Sequence, residues 1–255
     1  MTRTSDRLLT ILAPLSTFTA LVLIWQVGVT VAEVSTLLLP SPAAILGETF
    51  ENLPVLISLS LHTALNAVAG TSFGIVAALL AAWLVHGSAR LSSLFTTLAT
   101  GVKAMPIIAL FPIAAVFLGN GPVAVATIVA VAAFPIAFVY AIAGLRRASD
   151  LDEVMSVIAA GRVKRFWSMR LPLAMPYILT GVSTILPLSV ISSIIAEYFG
   201  GPVTTLGTYI RRESANMHTV SMWSAILLAC VLGLLATAAG ALAVRAAHRL
   251  EGGPA

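Results

Sequence analysis

Residues 104–145, AMPIIALFPIAAVFLGNGPVAVATIVAVAAFPIAFVYAIAGL, contain no Asp, Glu, Lys or Arg. In hydrocarbon a backbone amide finds no water, so the chain must satisfy it in a helix, and a crossing helix takes about 20 apolar residues. The stretch is too long for one crossing. Gly119-Asn120-Gly121-Pro122 interrupts it with a turn signal, which predicts spans over 97–118 and 122–144. Working outward, 8–32 is a run bounded by Arg7 and Glu33, and 58–85 lies within the charge-free 52–89. Two more runs follow at 172–196 and 221–244. The expected fold is all-α, a single polytopic membrane domain over 1–255 with about six transmembrane helices.

Composition agrees. Of 255 residues, 59% are apolar and 9% charged, against about 25% charged in a soluble domain, and the mean hydropathy is +1.02. Too few charges exist to cover a water-exposed surface, which excludes a cytosolic enzyme, a secreted disulfide scaffold and a disordered tail. Cys230 is the only cysteine, so neither an intrachain disulfide nor a cysteine-rich metal site can form. The four histidines are scattered, with no pair at metal-ligand spacing.

The net charge of +4 does not point to nucleic acid, because the basic residues sit between apolar blocks. With the N-terminus inside, eleven fall on the cytoplasmic side: Arg3, Arg7, Arg90, Arg146, Arg147, Arg162, Lys164, Arg165, Arg170, Arg245 and Arg249. Arg211 and Arg212 fall outside, and Lys103 lies in the third span, snorkelling to the cytoplasmic surface. The positive-inside bias places both termini in the cytoplasm. The first apolar run has full span length rather than the roughly 7–15 residues of a signal core, so it reads as an uncleaved span.

Two segments are neither spans nor short turns. Residues 39–54, LPSPAAILGETFENLP, start a helix at Ser41-Pro42 and place Ile45, Leu46, Phe50 and Leu53 on one face, as an interfacial helix on the outside would. The loop 145–171 is cytoplasmic. In it Asp150 can cap a helix and Glu153 completes a capping-box-like start. Gly161 ends that helix. Leu151, Val154, Met155 and Ile158 share a face. That face either packs on the protein's own core or docks a cytoplasmic partner; the pattern leaves both open.

The absences matter as much. No G-x-x-x-x-G-K-[ST] loop is present, so the chain does not bind ATP in the usual way. No carboxylate falls near the middle of a span; Glu197, at the outer end of the fifth, comes nearest. Ion-coupled carriers commonly place ionisable groups there, so a transporter of this kind takes its energy from a partner. A stand-alone secondary transporter or channel is the first alternative, and a non-transporting membrane enzyme or scaffold the second.

Glu153 to Pro172 resembles the EAA motif of ABC-transporter permeases. Glu153 falls on the Glu, and Leu171 and Pro172 on the closing Leu-Pro. Val154 and Met155 replace the two alanines, Ala159 takes the glycine position, and Gly161 supplies a bend two residues late. Leu39-Pro40-Ser41-Pro42, then Pro106-Ile107-Ile108-Ala109-Leu110-Phe111-Pro112 with Phe117-Leu118-Gly119, then Ala196-Glu197-Tyr198-Phe199-Gly200-Gly201 with Leu206-Gly207, resemble elements of the nitrate/sulfonate/taurine importer group, in collinear order. The resemblance implies a non-catalytic permease of a bacterial inner-membrane importer. Two copies would form the pathway, two ATPase subunits would dock at the cytoplasmic loops, and an extracytoplasmic binding protein would deliver a small organic anion or heterocycle. ATP and magnesium would then bind in the partner, and this chain would hold no cofactor. The ATPase contact falls on Asp150, Glu153, Val154, Met155, Ala159, Gly161, Leu171 and Pro172. Pro106, Pro112, Ser189, Ser192, Ser193 and Glu197 are the translocation-path candidates, although a serine in a span can also bond its own backbone. Gly70 and Gly74 form a GxxxG that permits close helix approach, within the chain or between copies.

Overall fold

The computed structural model describes residues 2–149 and 170–250. Among them every regular element is a helix: α1 Thr2–Val31, α2 Pro42–Glu51, α3 Leu53–Val85, α4 Ala89–Lys103, α5 Ile107–Leu118, α6 Pro122–Ser149, α7 Leu171–Gly200, α8 Leu206–Ala215 and α9 Thr219–Leu250. Five of these (α1, α3, α6, α7 and α9) are long and apolar enough to cross a membrane.

The expected span 97–118 is not one straight helix. It is the end of α4 and the whole of α5, bent by 98° at a short break. The reason lies at Met105-Pro106. Proline has no N–H and its ring pushes the preceding residue out of the helical region; Pro106 itself is extended, at φ −67° and ψ 114°, and caps α5. Hydropathy could not show this, because a bend changes direction without changing composition. α4 is also rich in hydroxyls: those of Ser92, Thr96, Thr97 and Thr100 all bond to the carbonyl four residues earlier. The described helices therefore give five spans, or six if the bent pair is one.

α6 is the central helix, touching α3, α4, α5 and α7. Of its most apolar window 61% is buried, against 6% for α1. The core between α3, α6 and α7 is built from small residues, with Ala78, Ala82, Ala133, Ala141 and Ala174 around Phe138 and Ile185. Small side chains allow helix backbones to meet, which replaces the hydrophobic drive that lipid removes. Gly70 and Gly74 lie at such a meeting: a Cβ on them would come within 2.5 Å of Ala126 O and 2.7 Å of Ala130 O, respectively. The GxxxG face is thus occupied by α6 of the same chain.

The turn between α5 and α6 is the expected one, with Gly119 at φ +73° and Gly121 at φ +159°, values that favour glycine. α2 starts at Ser41, whose hydroxyl accepts from Ala44 N at 3.2 Å. Its expected single apolar face divides. Ile45 and Thr49 are buried, while Leu46 and Phe50 point outward. The inward side is taken by polar contacts to α9, where Ser221 Oγ donates to Glu48 Oε1 (2.6 Å) and Ser224 Oγ to Ile45 O (3.2 Å). α1 meets this corner through Trp25, whose ring lies 5.4 Å from that of Trp223.

Candidate functional site

One face of α3 carries its polar and smallest residues: Thr63, Asn66, Ala67, Gly70, Thr71 and Gly74 are all buried. Their spacing of three, one, three, one and three is helical, so they form a single stripe. On α7, Ser189, Ser193 and Glu197 follow the same rule at intervals of four and are buried too. Thr63, Asn66 and Thr71 of the first stripe bond to the second, while Gly70 and Gly74 meet α6. Thr71 Oγ1 donates to Ser189 Oγ.

At one end the stripes close on Glu197, which has no exposed surface. Its Oε2 accepts from Thr63 Oγ1 (2.8 Å) and from Gly207 N (3.2 Å). Its Oε1 accepts from Asn66 Nδ2 (3.0 Å) and from Ser193 Oγ (3.1 Å). Thr63 Oγ1 in turn accepts from Leu206 N (3.0 Å), and Thr208 Oγ1 donates to the Glu197 carbonyl (3.0 Å). A carboxylate buried without partners would be severely penalised; here four donors, two per oxygen, supply the lost hydration. Gly207 N and Leu206 N open α8, and an anion at a helix N-terminus also meets its dipole.

Of the six path candidates, Ser189, Ser192, Ser193 and Glu197 are buried within the protomer. Ser192 Oγ is buried with no hydrogen-bond partner among the described residues. Pro106 and Pro112 lie exposed at the bend and within α5. Thr63, Asn66, Thr71 and Thr208 were not singled out from the sequence. The signal that could have found the first three is the three-and-four spacing of polar residues inside a charge-free span.

Outside the spans, α8 presents a second polar cluster. Glu213 Oε1 accepts from Arg212 Nε (2.9 Å), and Oε2 lies 2.8 Å from His218 Nδ1. The Arg212 guanidinium sits 4.9 Å from the Tyr209 ring centroid. Burial tends to raise the Glu213 pKa, but the hydrogen bonds and charges of His218 and Arg212 outweigh it, and the net shift is downward. Burial, with the charges of Glu213 and Glu48, raises that of Tyr209. A lowered carboxylate pKa means stability that is present above the unfolded value and lost as pH falls through the folded one. Arg212 and His218 side chains are 51% and 64% exposed, so the gain is at most about 1 kcal/mol. We expect Glu213→Gln to lower the melting temperature slightly at pH 7 and to match the parent once pH drops below the carboxylate range. An unchanged difference across that range would contradict the assignment.

At the opposite end, Arg146 Nη2 donates to Ser92 Oγ at 3.0 Å, joining α6 to α4 close to the end of α6. Leu171 and Pro172 open α7, with proline in the first turn where its missing N–H leaves nothing unpaired. Asp150, Glu153, Val154, Met155, Ala159 and Gly161 lie outside the described residues. Among the described residues no group of three or more His, Cys, Asp or Glu could hold a metal.

The family described as "Binding-protein-dependent transport system inner membrane component" matches residues 70–250. The chain belongs to this family. The permease is 27% identical over 231 residues to the formylaminopyrimidine transport permease protein ThiX of Halalkalibacterium halodurans, covering 89% of this chain and 91% of that one. It is 24% identical over 230 residues to a probable ABC transporter permease protein of Haemophilus influenzae, covering 88% and 91%. Two crystal forms of the inward-facing MetNI methionine ABC transporter share its fold at 20% identity. Their TM-scores are 0.64 and 0.67, over 76% and 77% of this chain and 97% and 98% of theirs. The permease is therefore the non-catalytic, multi-pass inner-membrane component of a bacterial ABC importer, with the ATPase in a separate chain. Membership implies a binding protein, an ATPase and pairing of permease subunits.

Proposed function

We propose that this permease forms the route for a small nitrogen heterocycle of the pyrimidine-precursor kind. The supporting observation is the near full-length alignment with a permease named for formylaminopyrimidine transport. Two copies of the chain enclose the route, with the exposed Pro106 and Pro112 of the bent α4–α5 pair against it. Ser189, Ser192, Ser193 and Glu197, buried within each protomer, support the wall from inside the helix bundle without meeting the substrate. Residues 145–171 meet the ATPase through Asp150, Glu153, Val154, Met155, Ala159 and Gly161, with Leu171 and Pro172 closing the segment at the head of α7. Both termini face the cytoplasm. ATP and magnesium act in the partner, and this chain binds no cofactor.

The test is uptake by proteoliposomes holding the permease with its cognate ATPase and binding protein. We expect ATP-dependent accumulation of labelled formylaminopyrimidine, and none of nitrate or an alkanesulfonate. Accumulation of nitrate or sulfonate alone would reject the substrate class, and accumulation without the ATPase would favour a stand-alone carrier. Thiol labelling from outside should reach a cysteine at Glu48 and not one at Ser149; the reverse would invert the orientation.

A further inference from the structure

We propose that Glu197 is a positioning residue that clamps α8 onto α3 and α7, so that α8 travels with α7 as one body during transport. The proposal rests on the transport reading and adds to it how the outer face is tied to the moving helices.

Three observations converge. The first is the identity of the partners: one carboxylate holds Thr63 and Asn66 of α3, Ser193 of α7 and the Gly207 amide of α8. The α3 partners lie 134 and 131 positions from Glu197, and no other described carboxylate bonds to as many elements. The second is that α8 lacks a local cap: Thr205, at its N-cap position, makes no side-chain cap hydrogen bond. The first amides of a helix need acceptors, and here Thr63 Oγ1 and Glu197 Oε2, from two other helices, serve Leu206 N and Gly207 N. The third is contact. A Cβ on Gly207 would stand 2.6 Å from Glu197 Cβ and 2.8 Å from Tyr198 N, so α8 begins with its backbone pressed on that of α7.

A charge in a membrane span is by default a functional hypothesis, and proton or ion relay is the usual form. The geometry argues against it here. The side-chain partners of the carboxylate are two hydroxyls and an amide, none of which titrates in the physiological range, and Glu197 has no exposed surface from which a proton could leave. What the carboxylate offers is four acceptor sites in fixed directions. Its output is the placement of α8, which carries the exposed Arg211 and Arg212 on the outer side.

Acceptor geometry and charge make different predictions for two substitutions. Glu197→Ala removes all four acceptor sites. Glu197→Gln removes the charge but keeps one oxygen, which can serve Thr63 and the Gly207 amide, while the new NH2 group faces Ser193 and a reoriented Asn66 side chain. Both variants, assembled with ATPase and binding protein in nanodiscs, are compared by amide hydrogen exchange and by ATPase rate. In Glu197→Ala, exchange across 204–216 should rise about tenfold or more, the scale of one lost charge-assisted hydrogen bond, while α6 stays protected. Basal ATPase activity should remain and its stimulation by the binding protein should be lost. Glu197→Gln should retain most of the protection and most of the stimulation.

Unchanged exchange over 204–216 in Glu197→Ala would overturn the clamp. So would a rise spread equally over α3, α6 and α7, which would mark general loosening. A Glu197→Gln as defective as Glu197→Ala would show that the charge, not the acceptor, is what matters. If Glu197→Ala does not accumulate, Thr63→Val against Thr63→Ser decides on the same readouts, since serine restores the hydroxyl between Leu206 N and Glu197. Exchange needs no transport: absent uptake by the parent complex would reject the transport reading and leave the clamp standing on its own result.

Discussion

Gly74→Val should prevent most of the permease from reaching a folded, monodisperse state, and Gly70→Val should be at least as severe. A side chain at Gly74 would meet Ala130 O at 2.7 Å and Ala130 Cα at 3.1 Å, and one at Gly70 would meet Ala126 O at 2.5 Å and Val129 Cβ at 2.6 Å. The nearest obstacles are backbone oxygens, which cannot swing aside as a side-chain tip can. The helices must part, and overpacking typically costs about 1–3 kcal/mol or more. Replacing a helical glycine otherwise tends to help by up to about 1 kcal/mol, so a loss would be the clash alone. Gly28 and Gly233 supply the control, since a Cβ on either meets nothing within 4 Å. Size-exclusion profiles and thermal melts of Gly74→Val and Gly28→Val should differ sharply. Matching profiles would refute the seam between α3 and α6.

Glu153→Lys should leave folded permease in the membrane and abolish uptake. Residues 153–172 resemble the ABC permease contact motif, and described helices lie on both sides of the segment. α6, tied to α4 by Arg146 and Ser92, leads into the segment, and α7 leaves it at Leu171 packed along α6. The sequence predicts a short amphipathic helix from Asp150 to Gly161, and such a helix can insert its apolar face into a partner groove. A lysine near its start would oppose the positive end of the helix dipole by about 0.3–1 kcal/mol. That is too little to unfold the chain, yet it places the wrong charge at the contact. We expect weak co-purification of the ATPase and no uptake, with Asp150→Ala milder. Normal co-purification and uptake in Glu153→Lys would remove Glu153 from the contact.

What could be read from the chain follows the physics of its solvent. Lipid forbids charges and unpaired amides, so charge-free runs such as 58–85 and 122–144 marked α3 and α6 within a few residues. The Gly119–Pro122 turn, the Ser41-Pro42 helix start and the all-helical class were legible for the same reason. Other features depended on direction or on distant partners. The 98° bend at Pro106 left no trace in hydropathy, although proline's effect on the preceding residue was a usable hint. Glu197 stood out as a charge at a span end, but its meaning came from Thr63 and Asn66, more than 130 positions away. For Ser189 and Ser193, a hydroxyl on a helix face does not reveal from sequence whether that face meets water or another helix; Thr71 of α3 is the partner of Ser189.

The seam glycines also bear on inheritance. Where Gly70, Gly74 and Gly207 touch neighbouring backbone, a single methyl group is excluded, so drift at those positions is blocked. Over most of α1 and the exposed flanks of α3 and α9 no other helix of the chain packs on the side chains, and to lipid tails leucine, valine and phenylalanine are nearly equivalent. A lineage can therefore rewrite most of this chain by exchanging one greasy residue for another while the architecture stands on a few contacts. This accounts for a TM-score of 0.67 at 20% identity: the fold is stored in the places where helices touch, and the rest of the text is free to vary.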